Sequence, residues 1–122
     1  MGSRLVGYGS YLPERVMTNQ DFEKIMDTTD EWITTRTGIR ERHFAREDET
    51  VVDMATIAAQ RALDNAGLTI DDIDLIIVAN VTAELDFPSV GVQVAGRLGA
   101  TNTQSRRQKI SAFLAPSAAL RS

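Results

Sequence analysis

At 122 residues, with 43% apolar and 25% charged residues and a formal net charge of −4, the chain has the makeup of a single soluble globular domain. It has no cysteine, which excludes disulfides, thiolate metal sites and a cysteine nucleophile, and its one histidine, His43, argues against a classical zinc site. No apolar run approaches the roughly 20 residues that span a bilayer, and the start, Met1 to Val6, lacks the apolar core of a signal peptide, so a cytoplasmic protein with no metal and no membrane partner is expected.

In chain order, Leu5 to Leu12 reads as a first strand ended by Pro13, its glycines suggesting close backbone approach to a neighbour. Thr18 reads as a helix cap, with Phe22, Ile25 and Met26 as the apolar face of the helix that follows. Thr28, Thr29, Asp30 and Glu31 fit a capping box for a second helix of about two turns, terminated by Gly38. Residues 39–50 are charged and read as an exposed loop or short extended piece. Thr50 caps a third helix over 51–66, whose apolar positions Val51, Met54, Ala55, Ala58, Ala62 and Leu63 keep the helical period up to Gly67.

Leu75 to Ala79 is an unbroken apolar run, the pattern of a strand buried on both faces in a parallel sheet. Pro88 fits the first turn of a helix over about 89–98, ending at Gly99. The order strand, helices, strand, helix predicts an α/β fold with right-handed crossovers. A third strand is expected just after Gly99.

The charge is divided along the chain. Residues 101–122 hold Arg106, Arg107, Lys109 and Arg121 and no acid, leaving nine of the 13 basic residues in 1–100 against all 17 acids, about −8 there by formal count. So abrupt a change marks a boundary. The acidic part argues against nucleic acid as the partner.

The densest chemistry lies in Asp27 to Arg42. Thr28, Trp32 and Arg36 stand at i, i+4 and i+8, which on a helix places them on one face. An aromatic ring beside a guanidinium makes a surface that can hold a nucleotide base and its phosphates. Packing is the bland alternative for Trp32. Thr28 is open between helix cap and ligand contact, and can serve both. Arg40, Arg42 and Arg46 are most simply a solvated face, with attraction of phosphates or an acidic protein as the alternative. Gly7 and Gly9 lack the third glycine of a dinucleotide motif and read as packing glycines.

Residues from about 4 to 100 resemble the N-terminal part of β-ketoacyl-[acyl carrier protein] synthase III. The matching elements are Gly7 to Pro13, Thr18-Asn19, Asp27 to Ile33, Arg36 to His43, Ala62 to Gly67, Ile73 to Val78 and Phe87-Pro88-Ser89. The block from Asp30 to Ile33 followed by Arg36 to Arg42 is the most specific of them.

The resemblance implies the opening portion of a thiolase-like α/β fold, with an incomplete sheet and covering helices. It implies an acyltransferase that joins an acetyl unit from acetyl-CoA to malonyl-acyl carrier protein in fatty-acid synthesis. Acetyl-CoA is then a substrate, no cofactor is needed, and a homodimer or larger oligomer is expected. It places Thr28, Trp32 and Arg36 at CoA, with the tryptophan on the adenine and the arginine holding the nucleotide from its other side. It places Phe87 across the dimer in the partner's acyl pocket. Read without the resemblance, Phe87 is a staple for the next helix.

The departure from the family lies beyond Gly99. The family's nucleophilic cysteine follows its third strand, and this chain has none. The partner histidine and asparagine belong to a second half with no counterpart here, and His43 does not match that histidine. Ser111 and Ser117 lack both the matching context and an activating histidine. We therefore expect residues 1–100 to be a truncated thiolase-like unit, residues 101–122 to be a non-homologous basic tail of the kind a shifted reading frame yields, and the chain to be catalytically inactive. The alternative is a non-catalytic module that binds CoA or pairs with another subunit.

Overall fold

The computed structural model describes residues 2–80, 85 and 87–101. Strand β1 (Arg15–Thr18) pairs antiparallel with β2 (Glu41–Phe44), in the register Arg15 to Phe44 and Thr18 to Glu41. Between them lie helices α1 (Asn19–Glu23) and α2 (Asp30–Thr37), and after them α3 (Val51–Ala66) and α4 (Val90–Arg97). A single 3-10 turn spans Ile70–Asp72. The α/β class expected from the sequence is observed, as a partial fold with a two-stranded sheet.

Local chemistry explains where each helix starts. The Thr18 hydroxyl accepts from the Asp21 N–H at 3.3 Å, and the Asp21 carboxylate accepts from the Thr18 N–H at 3.0 Å. Thr50 and Asp53 repeat this box at the start of α3, at 3.1 and 2.8 Å. The box expected at α2 shifts by one residue. Thr29, not Thr28, is the cap, and its hydroxyl accepts from the Trp32 N–H at 3.1 Å. The Thr28 N–H that Glu31 would reach back to donates to the Met26 carbonyl at 3.0 Å instead, and Glu23 at the end of α1 accepts from the Asp30 N–H at 2.6 Å. Gly38 ends α2 at φ +70°, a left-handed conformation that suits glycine, and donates to the Thr34 carbonyl at 2.8 Å.

Four further expectations are corrected. Helix α1 stops at Glu23, so Ile25 and Met26 are exposed rather than part of its apolar face. Residues 5–12 form no strand. They lie along α3 instead, where the Tyr8 N–H donates to Asn65 Oδ1 at 3.2 Å and Arg61 donates to the Ser10 carbonyl at 2.8 Å. The glycines permit that approach: a Cβ on Gly7 would fall 2.6 Å from Ala66 Cβ, and one on Gly9 would run into the Ala58 carbonyl and the Ala62 nitrogen. The neighbour is thus a helix, and Ala58, Ala62 and Ala66 at i, i+4 and i+8 form the track.

Leu75 to Ala79 is likewise not a ladder strand, and only Val78 forms a β-bridge. Its exposure alternates: Ile76 and Val78 are partly covered, while Leu75 and Ile77 are 50% and 45% exposed. One face meets the helices. Burial of the other would need a second layer that the described residues do not include. Finally, Pro88 stands one residue before the Ser89 cap of α4 rather than inside its first turn. The strand expected after Gly99, and Ser111 and Ser117, fall outside the described residues.

The core is small. Val52 and Ala55 of α3 pack against Val90 and Val94 of α4, flanked by Val51, Ala59, Val78 and Leu98. An open apolar groove runs beside it, lined by Val6, Ala62, Ala66, Ile73, Leu75 and Leu98 among others. Among the described residues no helix is long and apolar enough to cross a membrane, and no cluster of acids and histidine is arranged to hold a metal.

Candidate functional site

The site is built on α2. Its one buried residue, Ile33, turns inward, and the opposite surface is left to polar groups and Trp32. Trp32 is 54% exposed, so core packing does not account for it. The Arg36 guanidinium carbon lies 4.9 Å from the centre of the indole ring, the i, i+4 contact that the spacing anticipates. Arg36 also stands in the last turn of the helix, where a cation is favoured by the dipole.

At 4.9 Å ring and guanidinium are in contact. A base inserted between them needs two van der Waals separations, about 7 Å. A base bound here would have to stack on the indole face that Arg36 leaves open, or Arg36 would have to swing outward to cover it. Thr28 sits before the cap of α2, so the helical period does not align it with Trp32 and Arg36. With Thr29 as the cap, the capping role read for Thr28 falls away, and its N–H donates to the Met26 carbonyl at 3.0 Å.

The three other arginines differ among themselves. Arg40 is exposed and lines a shallow polar cleft with Thr18, Asp30, Thr34 and Glu41. Arg42 is not on a solvated face. It is partly buried, donates to Asn19 Oδ1 at 2.5 Å and lies 4.7 Å from the centre of the Phe22 ring. Arg46 pairs with Asp48 at 3.1 Å, which raises its already high pKa. His43 Nδ1 lies 2.6 Å from the Pro13 carbonyl, to which it donates, a structural tie far from the Trp32 face in role.

Phe87 is 89% exposed, which rules out the staple reading, since a staple residue packs against its helix. Sequence reasoning gave no role to Asn19. Among the described residues it is the one buried polar side chain, at 0% exposure, and it bonds to α2 and to the chain that follows it. The only signal was its place after Thr18 in a matching block.

No protein-family model matches the chain. It is 59% identical over 102 residues to the beta-ketoacyl-[acyl-carrier-protein] synthase III of Listeria monocytogenes, a match that covers 84% of this chain and 33% of that one. The crystal structure of 3-oxoacyl-[acyl-carrier-protein] synthase III from Aquifex aeolicus superposes with a TM-score of 0.79 at 48% identity, covering 92% of this chain and 34% of that chain. The priming beta-ketosynthase of the R1128 polyketide biosynthetic pathway follows, with a TM-score of 0.77 at 43% identity over 81% of this chain and 30% of that one. The chain spans about a third of the length of the curated relatives that it matches. Over most of its residues it is therefore a relative, in sequence and in fold, of beta-ketoacyl-[acyl-carrier-protein] synthase III.

Proposed function

We propose that this chain carries the nucleotide-binding face of an acyl-condensing synthase, without the acyl-transfer nucleophile. One observation carries the reading: an exposed indole with a guanidinium laid against it on a capped, anchored helix, inside a match to synthase III. Trp32 offers a stacking face to the adenine of acetyl-CoA, Arg36 a charge for its phosphates, and Thr28 a hydroxyl at the helix entrance. Acetyl-CoA is a substrate in this reading and no cofactor is required. Malonyl-acyl carrier protein is the second substrate of the complete enzyme, which works in the cytoplasm on fatty-acid synthesis.

Acyl transfer of this kind needs a thiolate to take the acetyl group. With no cysteine in its 122 residues the chain supplies none, so it is inactive by itself. In this reading residues 101–122 are non-homologous sequence of the kind a shifted reading frame yields, and the DNA past codon 100 should hold the missing strand and cysteine in another frame. The second reading, a module that pairs with another subunit, is favoured by the exposure of Phe87, whose ring would enter the partner's acyl pocket in a dimer.

Titration with CoA should quench Trp32 fluorescence, and Arg36→Ala should weaken the quenching at least several-fold. Condensation of acetyl-CoA with malonyl-carrier protein by the purified chain should stay at background. Turnover above background would overturn the account of the nucleophile, and CoA affinity unchanged in both Trp32→Ala and Arg36→Ala would overturn the site.

A further inference from the structure

Asn19 is fully buried, and every polar atom of its side chain is engaged. Its Nδ2 donates its two hydrogens to Asp30 Oδ1 at 2.7 Å and the Ile39 carbonyl at 2.8 Å, with Thr34 Oγ1 at 3.2 Å sharing one of them. Its Oδ1 accepts from Arg42, and its backbone N–H donates to the Arg40 carbonyl at 3.2 Å. One side chain thus ties the first turn of α2, its middle, and the segment leaving it towards β2. The Thr34 hydroxyl also lies 3.1 Å from Asp30 Oδ1, so the two gripped residues of α2 are joined to each other.

The grip falls on a defined side of the helix. Asp30 and Thr34 are four residues apart and share a face. Trp32 and Arg36 are four apart and offset from that pair by two residues, about 200° around the axis, so they occupy the opposite face. Nothing else described holds α2 as firmly. Its own apolar contribution to the interior is Ile33, and α1 meets it through Glu23 at the Asp30 N–H. Hydrogen bonds to a buried amide have fixed directions, whereas one aliphatic contact leaves rotation about the helix axis free.

We infer that Asn19 is a positioning residue for the nucleotide face: it fixes the rotation of α2 and thereby the direction in which Trp32 and Arg36 project. This inference rests on the reading of Trp32 and Arg36 given above, and concerns a residue that touches no ligand. Replacement by alanine leaves the Asp30 carboxylate, the Ile39 carbonyl and the Arg42 guanidinium without their shared partner. Helix α2 then loosens while the α3–α4 core, to which none of these hydrogen bonds runs, keeps its packing.

The test compares the full 122-residue chain with Asn19→Ala and with the milder Thr34→Val, which removes one acceptor from the gripped face. Amide hydrogen exchange should show protection of residues 33–38 falling about tenfold or more in Asn19→Ala and about threefold in Thr34→Val, with residues 55–66 of α3 unchanged. Binding of 3′-phosphoadenosine 5′-diphosphate, followed by Trp32 fluorescence, should weaken in the same order. Unchanged protection in α2, or an equal loss in α2 and α3, overturns the inference, as does unchanged probe affinity with a loosened α2. If the wild-type chain does not bind the probe, the nucleotide reading fails, and the exchange arm alone decides whether Asn19 sets the helix. Should Asn19→Ala not fold, Thr34→Val answers by the same criteria.

Discussion

Asp53 and Arg97 lock the two core helices together through a carboxylate that has already been used once. Asp53 Oδ2 closes the capping box on Thr50 at the start of α3, and its Oδ1 accepts from the Arg97 guanidinium near the end of α4. The Thr50 N–H and hydroxyl first, and Arg97 after them, lower its pKa from 3.8 to about 2. A carboxyl held below its unfolded value stabilises the fold above that value, and the contribution is lost as the pH falls through the folded one.

Acid melts should therefore show stability declining between pH 3.8 and about 2. The pair is partly exposed, so the share of Asp53 is on the order of 1 kcal/mol after screening. Asp53→Asn should lose that amount at neutral pH and flatten the acid limb, measured by thermal denaturation across the range. Asp21 titrates in the same window, lowered to about 2 by Lys24 first and by the Thr18 N–H and hydroxyl after it. An acid limb identical in wild type and Asp53→Asn would show that the pair contributes nothing.

Thr28 and Thr29 are separable by mutation. Thr29→Ala removes the cap of α2 and should cost about 1 kcal/mol in a denaturant titration. Thr28→Ala removes no cap and should leave stability within about 0.5 kcal/mol, while weakening CoA binding if its hydroxyl meets the ligand. The reverse pattern of stability losses would return the cap to Thr28.

Gly9→Ala should destabilise the chain by about 1–3 kcal/mol, because the new methyl meets backbone atoms of α3 that cannot step aside. Gly2→Ala is the matched control, since a Cβ there meets nothing within 4 Å. Chemical denaturation of both variants checks this, and a neutral Gly9→Ala would show that residues 5–12 are not seated on the helix.

The half-exposed Leu75 and Ile77 adjoin the apolar groove, so the chain should bind an apolar fluorescent dye and self-associate as its concentration rises. Leu75→Lys with Ile77→Lys should reduce dye binding severalfold. Size-exclusion chromatography of wild type giving a sharp monomer peak at all concentrations would contradict this.

Elements set by local chemistry were legible in the sequence. The Thr18 and Thr50 caps, the span of α3 and the stop at Gly38 depend on residues within a turn of one another, and all were readable. The pairing of Trp32 with Arg36 was readable for the same reason. What depends on distant partners was not. Leu5 to Leu12 and Leu75 to Ala79 have strand composition, but a strand needs a neighbour, and the described residues offer the first of them a helix and the second a single bridge. The place of Asn19 was invisible because its partners, from Asp30 to Arg42, assemble only once β1 and β2 pair. The shift of the α2 cap from Thr28 to Thr29 goes with the Met26 carbonyl, which takes the Thr28 N–H that a box starting at Thr28 would have used.

The seating of Gly7 and Gly9 against Ala62 and Ala66 also sets an order of events during synthesis. Residues 5–12 leave the ribosome before α3, and their resting place is made more than fifty residues later. At about 5–20 residues per second, they wait roughly 3–11 s for that helix to be translated. During that interval Leu5, Val6 and Tyr8 are apolar groups in search of cover, and a nascent chain halted before Ala66 would present them to chaperones.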